Sequence, residues 1–445
     1  MLKSIKITKL FGRFDYILSF SNQQIMIITG PNGYGKSTIL RIINNFCNNN
    51  FEKILTYVFS ELTITCDSGC IVIEKKKNSF KINNFEFPYP SRKWDRKHSI
   101  SRYLMEMDLG KFSDIRSIEK VMGRVTKQLR FGDDEFFDAN FVFSILDAYD
   151  GDLSTEKLNR KIEELNSAFD LIKVIQQDIG KVHFIQEQRL IEKREIPDEE
   201  RRYSQPKTEY VTVINENSEK LKAELAEIMK RHSTISSNLD SSYIKRLFEA
   251  DSVGITYSDI VKQLDFLQKR QDKLQKYGLA EIQNASYLNQ LNQDKLKRFD
   301  VELSIYLEDA NAKYKVFEPI INKLELYEDI VNEKLAFKKM VLSRTDGIVV
   351  KTNDGSSLSL NELSSGEQEI LVLFYKLIFE SDVNLLLIDE PEISLHIVWQ
   401  KELLENLKSV VKLKKNIKVI IATHSPQIIS HNWDLQIDLG GMYDG

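Results

Sequence analysis

Apolar and polar residues follow distinct patterns along the chain. Near the N-terminus, Ser4–Lys9 and Phe14–Phe20 alternate between the two kinds of residue, whereas Ile25–Thr29 is almost wholly apolar. Alternation is typical of a strand with one buried face, and a continuous apolar run is typical of a strand buried on both faces. Residues 55–82 alternate again and predict an antiparallel lobe, while residues 83–180 give few clear signals.

The middle of the chain, from about 207 to 340, is rich in Lys, Glu, Gln, Leu and Ile. Within it, apolar residues recur at coiled-coil spacing for roughly two heptads before Gly278. They are Ile260, Leu264, Leu267 and Leu274. A second helical stretch, Tyr287–Ala336, is expected to run back beside this seam. The pattern fits a short antiparallel arm and a compact helical bundle equally well.

Apolar strands return after this helical region, with helices between them. They are Gly347–Lys351, Asn384–Ile388 and Lys418–Ala422. Strands that alternate with helices build parallel sheets, so we predict an α/β fold whose parallel sheet is split by a long helical insertion. The expected segments are 1–205 and 341–445, which together form one head domain, and 206–340, which forms the insertion.

The charge balance narrows the class of partner. The chain has 62 Lys and Arg against 66 Asp and Glu, a net charge of −4, which does not favour nucleic-acid binding by bulk charge. Local contact with nucleic acid stays open, because Lys75–Lys77 and Arg92–Lys97 could reach phosphates and Trp94 could stack on a base. Solvated loops are the favoured interpretation of both clusters.

Cysteine content and hydropathy indicate the compartment. Three cysteines are too few for a disulfide framework, and Cys66 and Cys70 lack the second pair of ligands that a zinc site needs. We interpret these two as small residues in a strand-rich hairpin. No apolar run reaches the roughly 18 residues that span a bilayer, and the N-terminus lacks the apolar core of a signal peptide. The expected location is the cytoplasm, without a membrane partner.

A glycine-rich turn follows the apolar strand near the N-terminus. Gly30–Thr38 matches the pattern G-x4-G-K-[ST], in which glycines let backbone N–H groups face phosphate oxygens. The Lys36 ammonium would lie near the β- and γ-phosphates, and the hydroxyl of Ser37 would bind Mg²⁺. The predicted nucleotide-binding residues of this loop are Asn32, Gly33, Gly35, Lys36, Ser37 and Thr38.

Two carboxylates follow the apolar strand Asn384–Ile388. Asp389 is placed to reach the Mg²⁺ shell, and Glu390 is placed to polarise the water that attacks the γ-phosphate. An apolar strand that ends in Asp-Glu is common by itself. Together with the loop Gly30–Thr38, it predicts ATP hydrolysis with ATP and Mg²⁺ as cofactors.

The segment Leu363–Gln368 precedes a strongly helical run, Glu369–Phe379. Its serines and glycine would lie at a helix N-terminus, where free N–H groups favour an anion. For the segment in isolation, a simple helix cap is at least as good an interpretation.

Taken together, these motifs resemble those of ABC ATPases. Leu363–Gln368 resembles the signature motif, Glu390–His396 the catalytic glutamate and D-loop, and Ile420–Pro426 the strand with the switch histidine. The resemblance implies an ABC-type P-loop ATPase head with an antiparallel β lobe and a long helical, short coiled-coil insertion. More than 300 residues separate Lys36 from the signature, so the chain is similar to the chromosome-maintenance (SMC) and overcoming-lysogenization-defect (OLD) branch rather than to transporters.

The resemblance also implies roles and a partner. His424 would act with Glu390 in catalysis by contacting the γ-phosphate. Three residues of the signature would bind the ATP that a second copy holds: Ser364, Gly366 and Gln368. A homodimer around two ATP molecules is therefore expected, and a higher oligomer is compatible with it.

Two residues depart from the ABC pattern, and one role stays open. His396 stands where many ABC proteins have Asp in the D-loop, and Ser365 replaces a common glycine of the signature. These departures bear on communication between subunits and on phosphate contact. The candidates for the glutamine that senses Mg²⁺ are Gln186 and Gln188, which follow a predicted strand at Val182–Ile185. Plain surface glutamines remain the alternative interpretation of both. His183 is interpreted as a polar residue within that strand.

Two further segments point to a cellular role. Ser394–Gln400 and Thr423–Ile429 resemble bacterial ATPases of anti-phage systems, such as the Septu type and some retrons. The first hypothesis is a sensor or regulatory subunit that controls a separate effector such as a nuclease. The chain ends 21 residues after His424, where OLD-type proteins that cut DNA carry a further acidic domain, so no intrinsic nuclease is expected. The alternatives are a DNA-repair or chromosome-handling ATPase and a scaffold that keeps ATP bound.

Overall fold

The computed structural model describes residues 1–20, 23–90, 145, 155–186, 191–196, 207–249, 257–280, 299–380 and 383–442. Three sequence predictions fall outside these ranges. They concern the cluster Arg92–Lys97 with Trp94, the glutamine Gln188 and the start of the second helical stretch at Tyr287.

The first two strands belong to an antiparallel lobe. β1 (Leu2–Leu10) and β2 (Phe14–Ser19) pair with each other, and the lobe continues through β4 (Glu61–Cys66), β5 (Gly69–Lys75), β6 (Ser79–Ile82) and β7 (Phe85–Pro88). The strand order is β2-β1-β4-β5-β6-β7, and every pairing is antiparallel. The predicted antiparallel lobe is confirmed. Cys66 and Cys70 lie in its β4–β5 hairpin, as interpreted from the sequence.

A parallel sheet forms the centre of the molecule. Its strands are β3 (Ile25–Thr29), β8 (Lys181–Ile185), β14 (Val383–Asp389), β15 (Lys418–Ala422) and the short β16 (Gln436–Asp438). They lie in the order β16-β3-β15-β14-β8, and all four pairings are parallel. Parallel strands end at the same edge of a sheet, so the residues that follow β3, β8, β14 and β15 meet there.

Side chains of this sheet alternate between two hydrophobic cores. On β14, Leu385 and Leu387 pack into one core, whereas Leu386 and Ile388 pack into the other. The first core holds α1 (Lys36–Cys47), α2 (Phe51–Thr56) and α3 (Thr155–Ile179), together with the β lobe. The second holds α7 (Glu318–Asn332), α8 (Ser365–Phe379), α9 (Ile397–Lys414) and the short α10 (Pro426–Ile429). Helices α1 and α8 therefore pack on opposite faces of the sheet.

The described part of the helical insertion contains three further helices. They are α4 (Val213–Glu249), α5 (Tyr257–Lys276) and α6 (Asp300–Lys315). Ion pairs Arg246–Asp309, Asp240–Lys313 and Glu224–Lys323 show that α6 and α7 run antiparallel to α4. Three seam residues, Ile260, Leu264 and Leu267, pack on Leu307 of α6.

The direction predicted for the second helical stretch is wrong. Arg270 of α5 donates a hydrogen bond to Asn311 of α6, and Lys273 of α5 donates one to Glu325 of α7. Residue numbers therefore increase in the same direction on both sides, so α6 and α7 run parallel to the seam helix α5. The helix that runs antiparallel to α6 and α7 is the 37-residue α4. An apolar seam identifies the buried face of a helix but carries no information about the direction of the helix that covers it.

The strand at Gly347–Lys351 is also not in the parallel sheet. β11 (Lys338–Ser343), β12 (Gly347–Thr352) and β13 (Ser357–Leu358) form a separate antiparallel sheet. Gly347 has φ 72°, and a Cβ there would lie 2.4 Å from the Ser218 hydroxyl, so only glycine allows the tight return from β11. β9 (Ile191–Ile196) and β10 (Lys207–Thr212) form a further antiparallel pair.

Candidate functional site

The loop Gly30–Thr38 connects the buried strand β3 to α1. Gly33 and Gly35 have φ values of 86° and 93°, which side-chain-bearing residues rarely adopt. A Cβ on Gly35 would lie 2.7 Å from the Leu10 side chain, because the β1–β2 turn packs directly on the loop. These two constraints explain why the motif requires glycine. The loop therefore presents its backbone N–H groups at the start of α1, where an anion is favoured.

Lys36 begins α1, and its side chain turns back into the loop. Its Nζ donates to the Gly30 carbonyl at 3.0 Å and contacts the His424 ring. Burial lowers the pKa of Lys36, while the carboxylates of Glu390, Glu392 and Asp389 act in the opposite direction. A buried ammonium among three carboxylates is suited to receive a polyphosphate, whose negative charge would add to theirs in favouring the protonated amine.

Ser37 and Asp389 are 352 positions apart in the sequence, and their side chains form a hydrogen bond in the structure. The Ser37 hydroxyl donates to Asp389 Oδ1 at 2.8 Å. Asp389 is the last residue of β14, and it is 5% exposed. A hydroxyl oxygen beside a carboxylate is the donor set that Mg²⁺ takes in phosphate sites. The residues present therefore fit the metal that the sequence predicted.

Glu390 follows β14 in a strained conformation. Its φ of 46° and ψ of 55° are left-handed, which a glutamate rarely adopts, and its N–H donates to the Ala422 carbonyl at 2.9 Å. The carboxylate Oε1 lies 3.2 Å from His424 Nε2. Strain of this kind is kept where the surrounding structure requires it, typically at functional sites.

His424 lies between the lysine and this glutamate. Its pKa is lowered, first by burial and then by the Lys36 charge, although Glu392 acts in the opposite direction. The neutral imidazole is therefore the main form near neutral pH, where one ring nitrogen can accept from Lys36 and the other can donate.

The signature segment Leu363–Gln368 caps α8. Ser364 is the N-cap, and Glu367 accepts from both its N–H and its hydroxyl at 2.9 Å. Lys338 completes the cluster by donating to Glu367 at 2.9 Å. Burial of Glu367 opposes its ionisation, but the bonds from Lys338 and Ser364 outweigh burial, so the pKa of Glu367 is lowered. The helix-cap interpretation of this segment is thus confirmed.

A cap does not exclude an anion at the same helix start. Ser364 and Ser365 are exposed, and Gly366 is half-buried. The first N–H groups of a helix have no intrahelical acceptor, and the cap satisfies those of Ser364 and Glu367. The Gln368 amide donates to the Leu363 and Asn361 carbonyls, and its contact with ATP stays a prediction.

Other predicted residues lie around the sheet edge. Gln186 directly follows β8. Because Ile185 pairs with Ile388 in the parallel register, Gln186 and Asp389 are the next residues along the two neighbouring strands. His183 lies in β8, as interpreted, and its Nδ1 pairs with Glu380 at 2.9 Å. His396 is the N-cap of α9 and accepts from the Val398 N–H at 3.4 Å.

An aromatic pocket beside the phosphate loop had no signal in the sequence. Phe11, Arg13 and Phe14 of the β1–β2 turn line it together with Asn32, Gly33 and Tyr34 of the loop. The rings of Phe14 and Tyr34 lie 4.9 Å apart. An aromatic surface next to a phosphate-binding loop can stack a nucleobase. Alternation predicted β1 and β2, but not that their turn would meet the loop.

The basic cluster Lys75–Lys77 is largely used within the protein. Lys75 donates to the Leu55 and Tyr57 carbonyls and lies over the Phe59 ring, and burial lowers its pKa to about 8. Lys76 pairs with Glu86 at 2.8 Å. These contacts favour a structural role for the cluster over phosphate binding. Among the residues that the structure describes, no helix is long and apolar enough to cross a membrane.

Comparison with known proteins supports a nucleotide site. A family profile described as "AAA ATPase domain" matches residues 1–429. A curated relative, the DNA double-strand break repair Rad50 ATPase of Sulfurisphaera tokodaii, is 29% identical over 148 residues. That alignment covers 31% of this chain and 16% of the relative.

Solved structures of SMC heads align over most of the chain at low similarity. An SMC head domain with an extended coiled coil, bound to the C-terminal domain of ScpA and derived from Pyrococcus furiosus, gives a TM-score of 0.35 at 12% identity. The alignment covers 96% of this chain and 91% of that one. The SMC head domain from Thermotoga maritima gives 0.34 at 11% identity, covering 96% and 90%.

Proposed function

Because the chain belongs to the AAA ATPase domain family, we propose that it binds MgATP at the loop Gly30–Thr38 and hydrolyses it with Glu390 as general base. The observation that carries this proposal is the Ser37–Asp389 bond of 2.8 Å, with Lys36, Glu390 and His424 around it. This hydrogen bond connects the start of α1, which favours phosphate, to the segment that carries the metal-binding Asp389 and the general base Glu390.

Each residue has a distinct task in this mechanism. Lys36 and the loop N–H groups hold the β- and γ-phosphates, and Glu390 takes a proton from the attacking water. The neutral His424, 3.2 Å from Glu390, donates to the γ-phosphate. Mg²⁺, held by Ser37 and Asp389 with Gln186 or Gln188 as the sensor, would supply charge neutralisation on the phosphates. The pocket at Phe11 and Phe14 would stack the adenine, and Asn32 and Thr38 would complete the loop's contacts.

Two paired variants test this assignment. Glu390→Gln should bind ATP with unchanged affinity and lose about 10²–10⁴-fold in kcat, because it keeps the shape and removes the base. Lys36→Ala should lose ATP binding, measured by titration with a fluorescent ATP analogue. Glu405→Gln is the matched control, since Glu405 is exposed and contacts Lys408 on α9. Full turnover by Glu390→Gln would remove Glu390 from the mechanism.

We further propose that two copies enclose each ATP, with Ser364, Gly366 and Gln368 of one copy on the γ-phosphate bound by the other. Support comes from the exposed start of α8 and from the opposite faces on which α1 and α8 pack. Release of the Gln368 amide from its local carbonyls would be part of this step. Glu390→Gln with ATP should run as a dimer in size-exclusion chromatography with light scattering, and Ser364→Arg should stay monomeric.

For the cellular role, we propose the sensor or regulatory subunit of an anti-phage complex that acts with a separate effector such as a nuclease. Support comes from the resemblance of Ser394–Gln400 and Thr423–Ile429 to ATPases of such systems. The test is phage challenge of a host that carries the gene with its genomic neighbours. Protection that Lys36→Ala abolishes is expected, whereas equal plaque counts with and without the gene would contradict this role.

A DNA-handling ATPase is the second candidate, favoured by the similarity to a Rad50 ATPase over 148 residues. The isolated chain would then hydrolyse ATP faster when double-stranded DNA is added, and this stimulation should decrease with salt. A scaffold that keeps ATP bound is the third candidate. It requires tight binding without turnover, which the placement of Glu390 beside His424 does not favour.

A further inference from the structure

The loop that carries His424 is held by one carboxylate oxygen. This loop, Thr423–Ser425, follows β15 and precedes α10. The Thr423 N–H still donates to the Ile28 carbonyl of β3 at 3.1 Å, whereas the N–H groups of His424 and Ser425 donate to a side chain. Glu392 Oε1 accepts from the Thr423 hydroxyl at 2.6 Å, the His424 N–H at 2.6 Å and the Ser425 N–H at 3.1 Å. Charge-assisted bonds of this kind are about twice as strong as neutral ones.

Gln400 holds the same assembly from the other side. Its amide donates to the Glu392 carbonyl at 3.2 Å and the Leu395 carbonyl at 2.9 Å, and its Oε1 accepts from the Ser425 hydroxyl at 2.7 Å. Together, these three contacts of the Gln400 amide connect the segment Glu392–Leu395 to the loop Thr423–Ser425. A chain of bonds links the segment after Glu390 to the backbone of His424.

The other oxygen of Glu392 has no such partner. Oε2 is buried and accepts no hydrogen bond from the residues that the structure describes. A buried carboxylate oxygen without a donor carries a desolvation cost, so the favourable contribution of this side chain comes from its other oxygen. Glu392 also acts on the charge of Lys36, which places it within electrostatic reach of the phosphate site.

We propose that Glu392 is a positioning residue for ATP hydrolysis, which fixes the His424 backbone so that the imidazole lies between Lys36 and Glu390, with Gln400 as its support. This inference rests on the proposed function, which assigns the γ-phosphate contact to His424. Glu392 itself touches no reacting atom. It acts by limiting the conformations of the loop before phosphate arrives.

Kinetics of four variants test the proposal. Glu392→Gln keeps the shape of the side chain and one acceptor oxygen, whereas Glu392→Ala removes the shape and both oxygens. We expect kcat to fall by about 10–100-fold for Glu392→Gln, as for other residues that orient a primary ligand, and further for Glu392→Ala. ATP affinity should not change, since the loop Gly30–Thr38 is intact. Gln400→Ala should give a smaller loss of kcat, and Glu405→Gln should behave as wild type.

A double-mutant cycle with His424→Ala separates this role from a general structural one. If Glu392 acts through His424, the double variant Glu392→Gln/His424→Ala is no slower than His424→Ala alone. Hydrogen–deuterium exchange supplies a readout that does not depend on activity. Glu392→Gln should accelerate exchange of the peptide that contains His424 and Ser425, with an unchanged thermal midpoint.

The outcomes are distinguishable. A slow His424→Ala with a fully active Glu392→Gln overturns the inference and leaves the proposed function intact. Losses that multiply in the double variant, or exchange that does not change, also overturn the inference. A fully active His424→Ala, or a wild-type protein without ATP turnover, refutes the proposed function instead, and accelerated exchange then still measures the anchoring by Glu392.

Discussion

The start of α8 offers a quantitative test of how the signature segment is built. Glu367 is the acceptor for three donors, namely the Ser364 N–H, the Ser364 hydroxyl and Lys338, and its side chain is 11% exposed. Glu367→Gln keeps the shape and removes the charge. A buried hydrogen bond to a charged group contributes about 1.5–3 kcal/mol, and an N-cap about 1 kcal/mol. Because glutamine can still accept one bond, we expect a net loss of about 2 kcal/mol in the local free energy of opening.

Hydrogen–deuterium exchange of the peptide spanning 360–372 measures this quantity directly. A loss of about 2 kcal/mol corresponds to roughly 30-fold faster exchange. The pH dependence has a defined sign. The pKa of Glu367 is lowered in the folded protein, so its contribution is present above the unfolded pKa and is lost as pH falls through the folded pKa. Wild type and variant, compared at equal pH, should therefore converge in acid.

The chain contains a matched control for this experiment. Glu362 makes the same reciprocal cap with Ser359, but it is exposed, and no lysine among the described residues pairs with it. Glu362→Gln should change exchange by less than about 0.5 kcal/mol. Equal exchange of Glu367→Gln and wild type at neutral pH would refute the energetic role assigned to the buried cluster. Equal effects of the two variants would show that the cap alone, without Lys338, accounts for it.

Three further predictions concern the Mg²⁺ requirement, stacking of the nucleobase and the pH dependence of stability. Ser37→Ala and Asp389→Asn should raise the Mg²⁺ concentration needed for half-maximal turnover, measured by Mg²⁺ titration, while ATP binding in EDTA stays unchanged. Phe14→Ala should weaken ATP binding by about 1–3 kcal/mol, the range for a stacked base, with no change in competition by inorganic tripolyphosphate. Burial lowers the pKa of Lys75 to about 8, so the unfolded chain binds more protons above that pH, and stability should rise between pH 8 and 10 in wild type more than in Lys75→Met.

Local requirements were visible in the sequence, and tertiary contacts were not. The apolar run at β3, the glycines with positive φ at Gly33 and Gly35, and the helix cap at Ser364 each reflect a constraint that a few neighbouring residues impose. The approach of Asp389 to Ser37 could be expected because parallel strands end at one edge of a sheet.

Features that depend on how distant segments pack escaped prediction. The aromatic pocket at Phe14 exists because the β1–β2 turn leans on the phosphate loop, a contact with no periodic signal. The direction of α6 is shown by ion pairs such as Arg246–Asp309. In the sequence, nothing distinguishes these two residues from other charged residues. Glu392 was part of a recognised motif, yet its role depends on where the loop Thr423–Ser425 lies.

The alternation of β14 between two cores has a consequence for how a nucleotide can be enclosed. Leu387 packs on the side of α1, which begins with Lys36, and Ile388 packs on the side of α8, which begins beside Ser364. Neither helix can move to the other face without exposing residues that are 0% exposed in this sheet. This arrangement supports the proposal that the two helix starts that contact one ATP belong to different copies. An ATP-bound monomer whose own Ser364 and Lys36 meet the same γ-phosphate would refute this proposal.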